Sequence, residues 1–172
     1  DGVRVVVVEG EGGQFASGGD IEEFPLFRFD AKTLARFHEE DVRPALQALL
    51  DCDLPLVAQI DGACIGGGLE VAACCDIRIA GRSARFGVPI NRLGFSLAYG
   101  ELAGLIAVAG RAVAAEILLE GRMWRADEAF QKGLLTRVVA DAPAVDEAYA
   151  AARRIADGAP LRGFFVWSML DN

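Results

Sequence analysis

Histidine is nearly absent: His38 is the only one in 172 residues, and Cys52, Cys64, Cys74 and Cys75 show no Cys-x-x-Cys spacing. That donor set disfavours a zinc site, and at this chain length it disfavours a disulfide-stapled secreted fold, so free, buried thiols are expected. A basic stripe is missing as well. With 17 Lys+Arg against 25 Asp+Glu, the formal charge of −8 repels polyanions at long range and disfavours a nucleic-acid partner. No run of about eighteen or more apolar residues is found, and the opening Asp1-Gly2-Val3-Arg4 has neither the basic start nor the apolar segment of a signal peptide. A soluble, cytoplasmic protein with no membrane partner is therefore expected. Internal repeats and low-complexity linkers are lacking too, which points to one domain.

What is present is a hydrophobic fraction of 53% with 20 glycines, the composition of a packed α/β domain with many tight turns. A chain of this size buries about 70% of the surface its unfolded form exposes. Val3 to Glu9 is a β-branched run that reads as a strand buried on both faces. From Lys32 to about Asp51, Leu34, Phe37, Val42, Leu46, Leu49 and Leu50 recur at roughly helical spacing, with Pro44 marking a restart, so one or two helices are predicted. Pro55 to Asp61 reads as a second buried strand closed by the turn signal Asp61-Gly62. Leu69 to Cys75 is apolar nearly all round and predicts a short buried helix, followed by a strand at Ile77 to Ala80. Helices are predicted at Leu97 to Ala109, Ala112 to Leu119 and Ala126 to Lys132, the last capped by Gly133. A strand at Thr136 to Val139 and a helix from Ala144 to Ala156 complete an alternating α/β pattern.

Two glycine clusters stand where predicted strands end. Gly66-Gly67-Gly68 can adopt backbone angles closed to other residues and bring an amide against a ligand, at the start of the predicted helix that carries Glu70. Glu70 on that first turn is consistent with simple complementation of the helix dipole, about 0.3 to 1 kcal/mol. The glycines alone are equally consistent with a tight crossover. The second cluster, Phe15-Ala16-Ser17-Gly18-Gly19-Asp20-Ile21, again joins a strand exit to glycines and an acidic residue. Two such turns, each exposing an amide, are what a two-donor oxyanion hole requires.

The segments VRVVVVEGEGGQFASGGDIEEF (residues 3–24), PLVAQIDGACIGGGLEVAACCDIRIA (55–80), ARFGVPINRLG (84–94) and ADEAFQKGLLTRVV (126–139) resemble, in order and spacing, motifs of the enoyl-CoA hydratase/isomerase (crotonase) superfamily. The resemblance implies a spiral of ββα turns that binds an acyl-CoA thioester and assembles as a homo-oligomer, a trimer or a pair of trimers. It implies that the amides of Gly19 and Gly67 grip the thioester oxygen and that Glu70 is the general acid/base. Ala16, Ser17, Gly18, Asp20, Ile21, Gly66, Ile90 and Glu101 are the further substrate-binding candidates. Coenzyme A comes as part of the substrate, so neither a separate cofactor nor a metal is expected.

The sequence departs from the superfamily's pattern at several positions. Hydratases place a second Glu where this chain has Ile90, and an alkyl chain transfers no proton. Dienoyl isomerases carry an Asp where this chain has Ala98; Glu101, Ser96 and Tyr99 lie on the same segment, Glu101 being read as more consistent with a solvated surface. Glu22 stands where many members have Lys, and Arg28, Lys32 and Arg36 are read as a solvated face rather than a phosphate contact. The superfamily's first strand and its Arg-Pro segment are missing, which reads as truncation at the N-terminus. Leu161 to Asn172 resembles a short segment near the end of family-1 β-glucosidases, without the Asn-Glu-Pro or Glu-Asn-Gly segments of those enzymes. It is set apart from the acyl-CoA-binding core at residues 1–160. Three readings follow: an acyl-CoA-processing enzyme, hydratase by default; a catalytically silent homologue that binds acyl-CoA or serves in assembly; and a serine peptidase of a related spiral fold. The last is disfavoured because His38, beside Glu39 and Glu40, is read as solvated.

Overall fold

The computed structural model describes residues 2–20, 22–94 and 97–158. Ile21, Ser96 and the tail at 161–172 lie outside the described residues. Strands β1 (Val6–Glu9), β2 (Leu56–Ile60), β4 (Ile77–Gly81) and β7 (Arg137–Val139) form one parallel sheet in the order β1-β2-β4-β7. A smaller sheet pairs β3 (Ala63–Ile65) in parallel with β5 (Arg85–Gly87), and β6 (Trp124–Arg125) runs antiparallel on β5. Ala16 adds a parallel bridge to Cys64 on β3. Each circuit of the chain thus lays one strand in the first sheet and one in the second before a helix returns it. β2, β3 and α4 (Gly67–Ala73) make one such turn, while β4, β5 and α5 (Ala103–Glu120) make the next. This is the spiral of ββα turns that the sequence motifs imply.

Burial explains which strands read clearly. All of β2 is buried because helices or strands cover both its faces. Val57 and Ile79 face Ala148, Ala151 and Ala152 of α7 (Ala144–Asp157), where small side chains let helix and sheet approach closely. Ile60, Leu69, Phe86, Leu105, Ile117 and Trp124 fill the other side. Each such side chain contributes about 1.5 to 3 kcal/mol relative to exposure. β1 departs from the expectation of burial on both faces: it sits at the sheet edge, with Val6 to Val8 half-buried and Glu9 exposed.

The predicted helical stretch 32–51 is α2 (Ala31–Arg36), a π-helical segment at Phe37–Val42, and α3 (Arg43–Leu50). Asp30 caps it by accepting from the amides of Lys32 and Thr33, both at 3.0 Å. Pro44, in the first turn of α3, has no N–H to donate and crowds the carbonyl four residues back. The wider turn relieves that conflict upstream: Arg43 N–H donates to His38 O, five residues back. A short helix α1 (Phe24–Phe27) precedes, unmarked by any periodicity.

Further on, a 3-10 turn at Tyr99–Leu102 leads into α5, which Gly110 (φ 78°, ψ 162°) kinks into two helical stretches, at the boundary between the two predicted helices. Within Tyr99–Glu120 an 18-residue window has a mean hydropathy of 1.9 and is 22% buried, long and apolar enough by length and composition to cross a membrane. No unbroken apolar run shows in the sequence there because Glu101, Arg111, Glu116 and Glu120 interrupt the series. Helix α6 (Ala126–Gln131) ends as expected before Gly133, at φ +84°.

Phe86 sits fully buried on β5, between the partners β3 and β6. Phe86→Ala is expected to lower unfolding free energy by about 3 to 5 kcal/mol in urea titrations, because the small sheet loses its largest inward side chain on that strand.

Candidate active site

The site is built where two loops leave their strands and are stitched together. Phe15 is buried, and its N–H points to the carbonyls of Asp61 (2.8 Å) and Ala63 (3.1 Å). Ala16 N donates to Ala63 O at 2.9 Å, and Ile65 N returns a bond to Ala16 O at 2.9 Å. The loop after β1 is therefore pinned along β3, just ahead of the glycine turn. Gly18 takes φ +94°, and a Cβ there would stand 3.0 Å from Gly67 N. A Cβ at Gly68 would stand 2.4 Å from Ala16 O, so the second turn closes against the first with no room for a methyl group.

Gly66, at φ 54° and ψ −124°, directs the chain into α4. Its N–H donates to Gly87 O at 2.9 Å, and its carbonyl accepts from Leu69 N (2.9 Å) and Glu70 N (3.1 Å). A helix leaves its first amides without intrahelical acceptors. Two of those of α4 are engaged by Gly66, and among the described hydrogen bonds the N–H groups of Gly67 and Gly68 are not.

A cavity of about 570 Å³ opens on this junction, walled by Gly19, Gly67, Glu70, Ile90, His38 and Glu101 among others. Ser17, Gly18 and Gly66 also border it, so the two glycine turns and the Glu70 named from the sequence share one space. A second cavity of about 450 Å³, bordered by Ala16, meets the first at Gly18, Gly67 and Glu70. Asp20 is exposed and borders neither cavity, and its carboxylate accepts from Glu22 N at 2.9 Å. Tyr99 is 90% exposed and away from both walls.

Glu101 and His38 overturn the expectation of solvated faces. Glu101 is only 4% exposed; its Oε1 pairs with His38 Nδ1, and its Oε2 accepts from Ala98 N at 3.4 Å. His38 is 14% exposed in its side chain, with the Phe37 ring edge-on at 5.5 Å. Leu34, His38 and Val42 lie four residues apart, so the helical spacing already placed His38 beside apolar neighbours. Arg28 also leaves its expected solvated face: it borders the cavity and lies 3.7 Å over the Phe24 ring. Arg36 keeps the expected exposure, paired with Glu40. Cys52 is exposed, against the expectation for the cysteines, whereas Cys64, Cys74 and Cys75 are buried.

Burial pushes the Glu70 carboxyl from an ordinary 4.5 up to about 8, with the negative charge of Glu101 adding to the effect. Burial likewise raises the Cys74 thiol to about 11, with Glu70 adding to it. Near neutral pH the site thus holds a protonated Glu70 and a neutral thiol behind it, and the carboxyl is poised to give a proton. Among the described residues no three His, Cys, Asp or Glu side chains gather as a metal-binding group.

Comparison with known proteins was consistent across sequence and structure. The family model described as Enoyl-CoA hydratase/isomerase matches residues 1–171. The chain is 34% identical over 160 residues to the (E)-benzylidenesuccinyl-CoA hydratase of Thauera aromatica, covering 92% of this chain and 61% of that protein. It is also 34% identical over 160 residues to the 2,3-dehydroadipyl-CoA hydratase of Escherichia coli (strain K12), covering 92% and 60%. The crystal structure of an enoyl-CoA hydratase/carnithine racemase from Magnetospirillum magneticum superposes with a TM-score of 0.88 at 49% identity, covering 92% of this chain and 60% of that one. The chain spans about three-fifths of the length of these relatives.

The raised Glu70 predicts a pH signature in stability. Between about pH 4.5 and pH 8 the unfolded chain releases a proton that the folded chain keeps, so this group's contribution weakens folding as pH rises. Glu70→Gln removes that titration. Thermal melts of the variant and the parent are expected to agree near pH 5 and to diverge toward pH 8, with the variant the more stable by up to a few kcal/mol. A constant difference across that range would contradict the raised carboxyl.

Proposed function

This chain belongs to the enoyl-CoA hydratase/isomerase family, and on that premise we propose that it processes an acyl-CoA thioester through an enolate-type intermediate, with hydration of an enoyl-CoA as the leading reaction. The observation that carries the reading is the common cavity of Gly19, Gly67 and Glu70. In this reading the amides of Gly19 and Gly67 donate to the thioester oxygen as it gains negative charge. Glu70, protonated near neutral pH by its burial, exchanges a proton with the carbon next to the thioester. The two amides are worth most where water is excluded, and each typically supplies about 10² to 10³ in rate.

The apolar walls, including Phe24, Phe37, Val42 and Leu97, suit an acyl chain. Leu26, Phe29, Leu93, Tyr99 and Leu119 remain exposed on the single chain. Together with the poorly buried length of α5 they support assembly as a homo-oligomer, a trimer or a pair of trimers. A second reading is favoured by one observation: Ile90 occupies the cavity wall where hydratases of this family place their second Glu. In that reading the chain binds acyl-CoA, or serves in assembly, without turnover.

Incubation with crotonyl-CoA, followed by ultraviolet loss of the conjugated thioester, separates the two. Turnover is expected, and Glu70→Gln is expected to lower kcat by about 10² to 10⁴ while remaining folded. Tight binding of crotonyl-CoA without turnover would establish the silent reading instead. Undiminished activity in Glu70→Gln would remove Glu70 from the mechanism.

A further inference from the structure

We propose that His38, oriented by Glu101, is the second proton-transfer group of the cavity, acting opposite Glu70. The inference rests on the acyl-CoA reading above and deepens it. Adding water across a conjugated double bond asks for one group to take a proton from water and another to deliver one to carbon. Ile90 can do neither, yet it shares the cavity with His38 and Glu101, which reach the same wall from elements 63 residues apart in sequence.

The hydrogen bonds assign the roles. A carboxylate only accepts, so a neutral imidazole paired with Glu101 Oε1 donates from Nδ1 and keeps its lone pair on Nε2, the form that this inference assigns to His38. Both Glu101 oxygens are already engaged, Oε1 by His38 and Oε2 by Ala98 N at 3.4 Å, which makes Glu101 a positioning residue rather than the reacting group. The ring is held from its sides as well. Phe37 lies edge-on at 5.5 Å and is itself stacked on Phe27 at 4.2 Å. The π-helical segment that precedes Pro44 sets the rotation of this stretch, and such turns are frequent at functional sites.

The step balances without any other reactant. Nε2 of His38 takes a proton from water as the water oxygen bonds the β-carbon. The π electrons of the double bond shift toward the thioester, whose oxygen carries the resulting charge against the amides of Gly19 and Gly67. The enolate then collapses, and its α-carbon takes the proton of the Glu70 carboxyl. The imidazolium proton returns to the Glu70 carboxylate through solvent, which restores the starting state.

Because the chain has one histidine, nitrogen-15 spectra of histidine-labelled, untagged protein report this ring alone. The parent protein is expected to show the Nδ1–H tautomer, and Glu101→Gln is expected to lose that preference. On crotonyl-CoA, His38→Gln should lower kcat about 10² to 10⁴ with KM little changed. His38→Ala should regain activity with added imidazole, and Glu101→Asp should retain more activity than Glu101→Gln. An Nε2–H tautomer in the parent protein, or parental kcat in His38→Gln, would overturn the assignment while leaving the acyl-CoA reading in place. A parent protein that does not turn over crotonyl-CoA would instead overturn the hydration reading, and this inference with it.

Discussion

Everything at this site depends on one close approach: the backbone of Gly18 against that of Gly67. With 3.0 Å between a notional Gly18 Cβ and Gly67 N, and 2.4 Å between a notional Gly68 Cβ and Ala16 O, the two turns touch through main chain alone. Any side chain at these points would separate the two turns by about a methyl group's width. The parallel bonding of Ala16 to β3 fixes the approach along the strands, and the Gly66 carbonyl fixes it along the helix. Geometry, rather than side-chain chemistry, is what the glycines supply.

Onto that junction the fold places charge in an apolar setting. Glu70 is 6% exposed and held protonated by burial, with the like charge of Glu101 raising it further. Isolated burial of two carboxyls would be strongly unfavourable. The structure resolves it by giving the groups different partners: Glu101 has the imidazole of His38 and the Ala98 amide, while Glu70 keeps its proton. Two carboxyl groups in one cavity thereby have different partners, and burial holds Glu70 in its protonated form near neutral pH.

Much of this was legible in the sequence, for local reasons. Strand β2, the glycine run and Glu70 fall within residues 55–80, where periodicity, turn chemistry and family-like motifs coincide. The smaller sheet was not legible, since β3, β5 and β6 have only two or three residues, too few for any period to show. Helix α1 failed to register for the same reason. Glu39 and Glu40 masked the apolar spacing of Leu34 and Val42 around His38, and the pairing of His38 with Glu101 is a contact across 63 residues that no local pattern encodes. Asp20 was named from its place in a motif, and its carboxylate accepts from the Glu22 amide away from both cavities.

The most direct measurement is a crystal structure with a non-reactive acyl-CoA thioester bound. The account requires the thioester oxygen to sit about 2.7 to 3.1 Å from the amide nitrogens of both Gly19 and Gly67, with the acyl carbons facing Glu70. A thioester oxygen held by other groups, or an acyl chain seated away from Glu70, would contradict it.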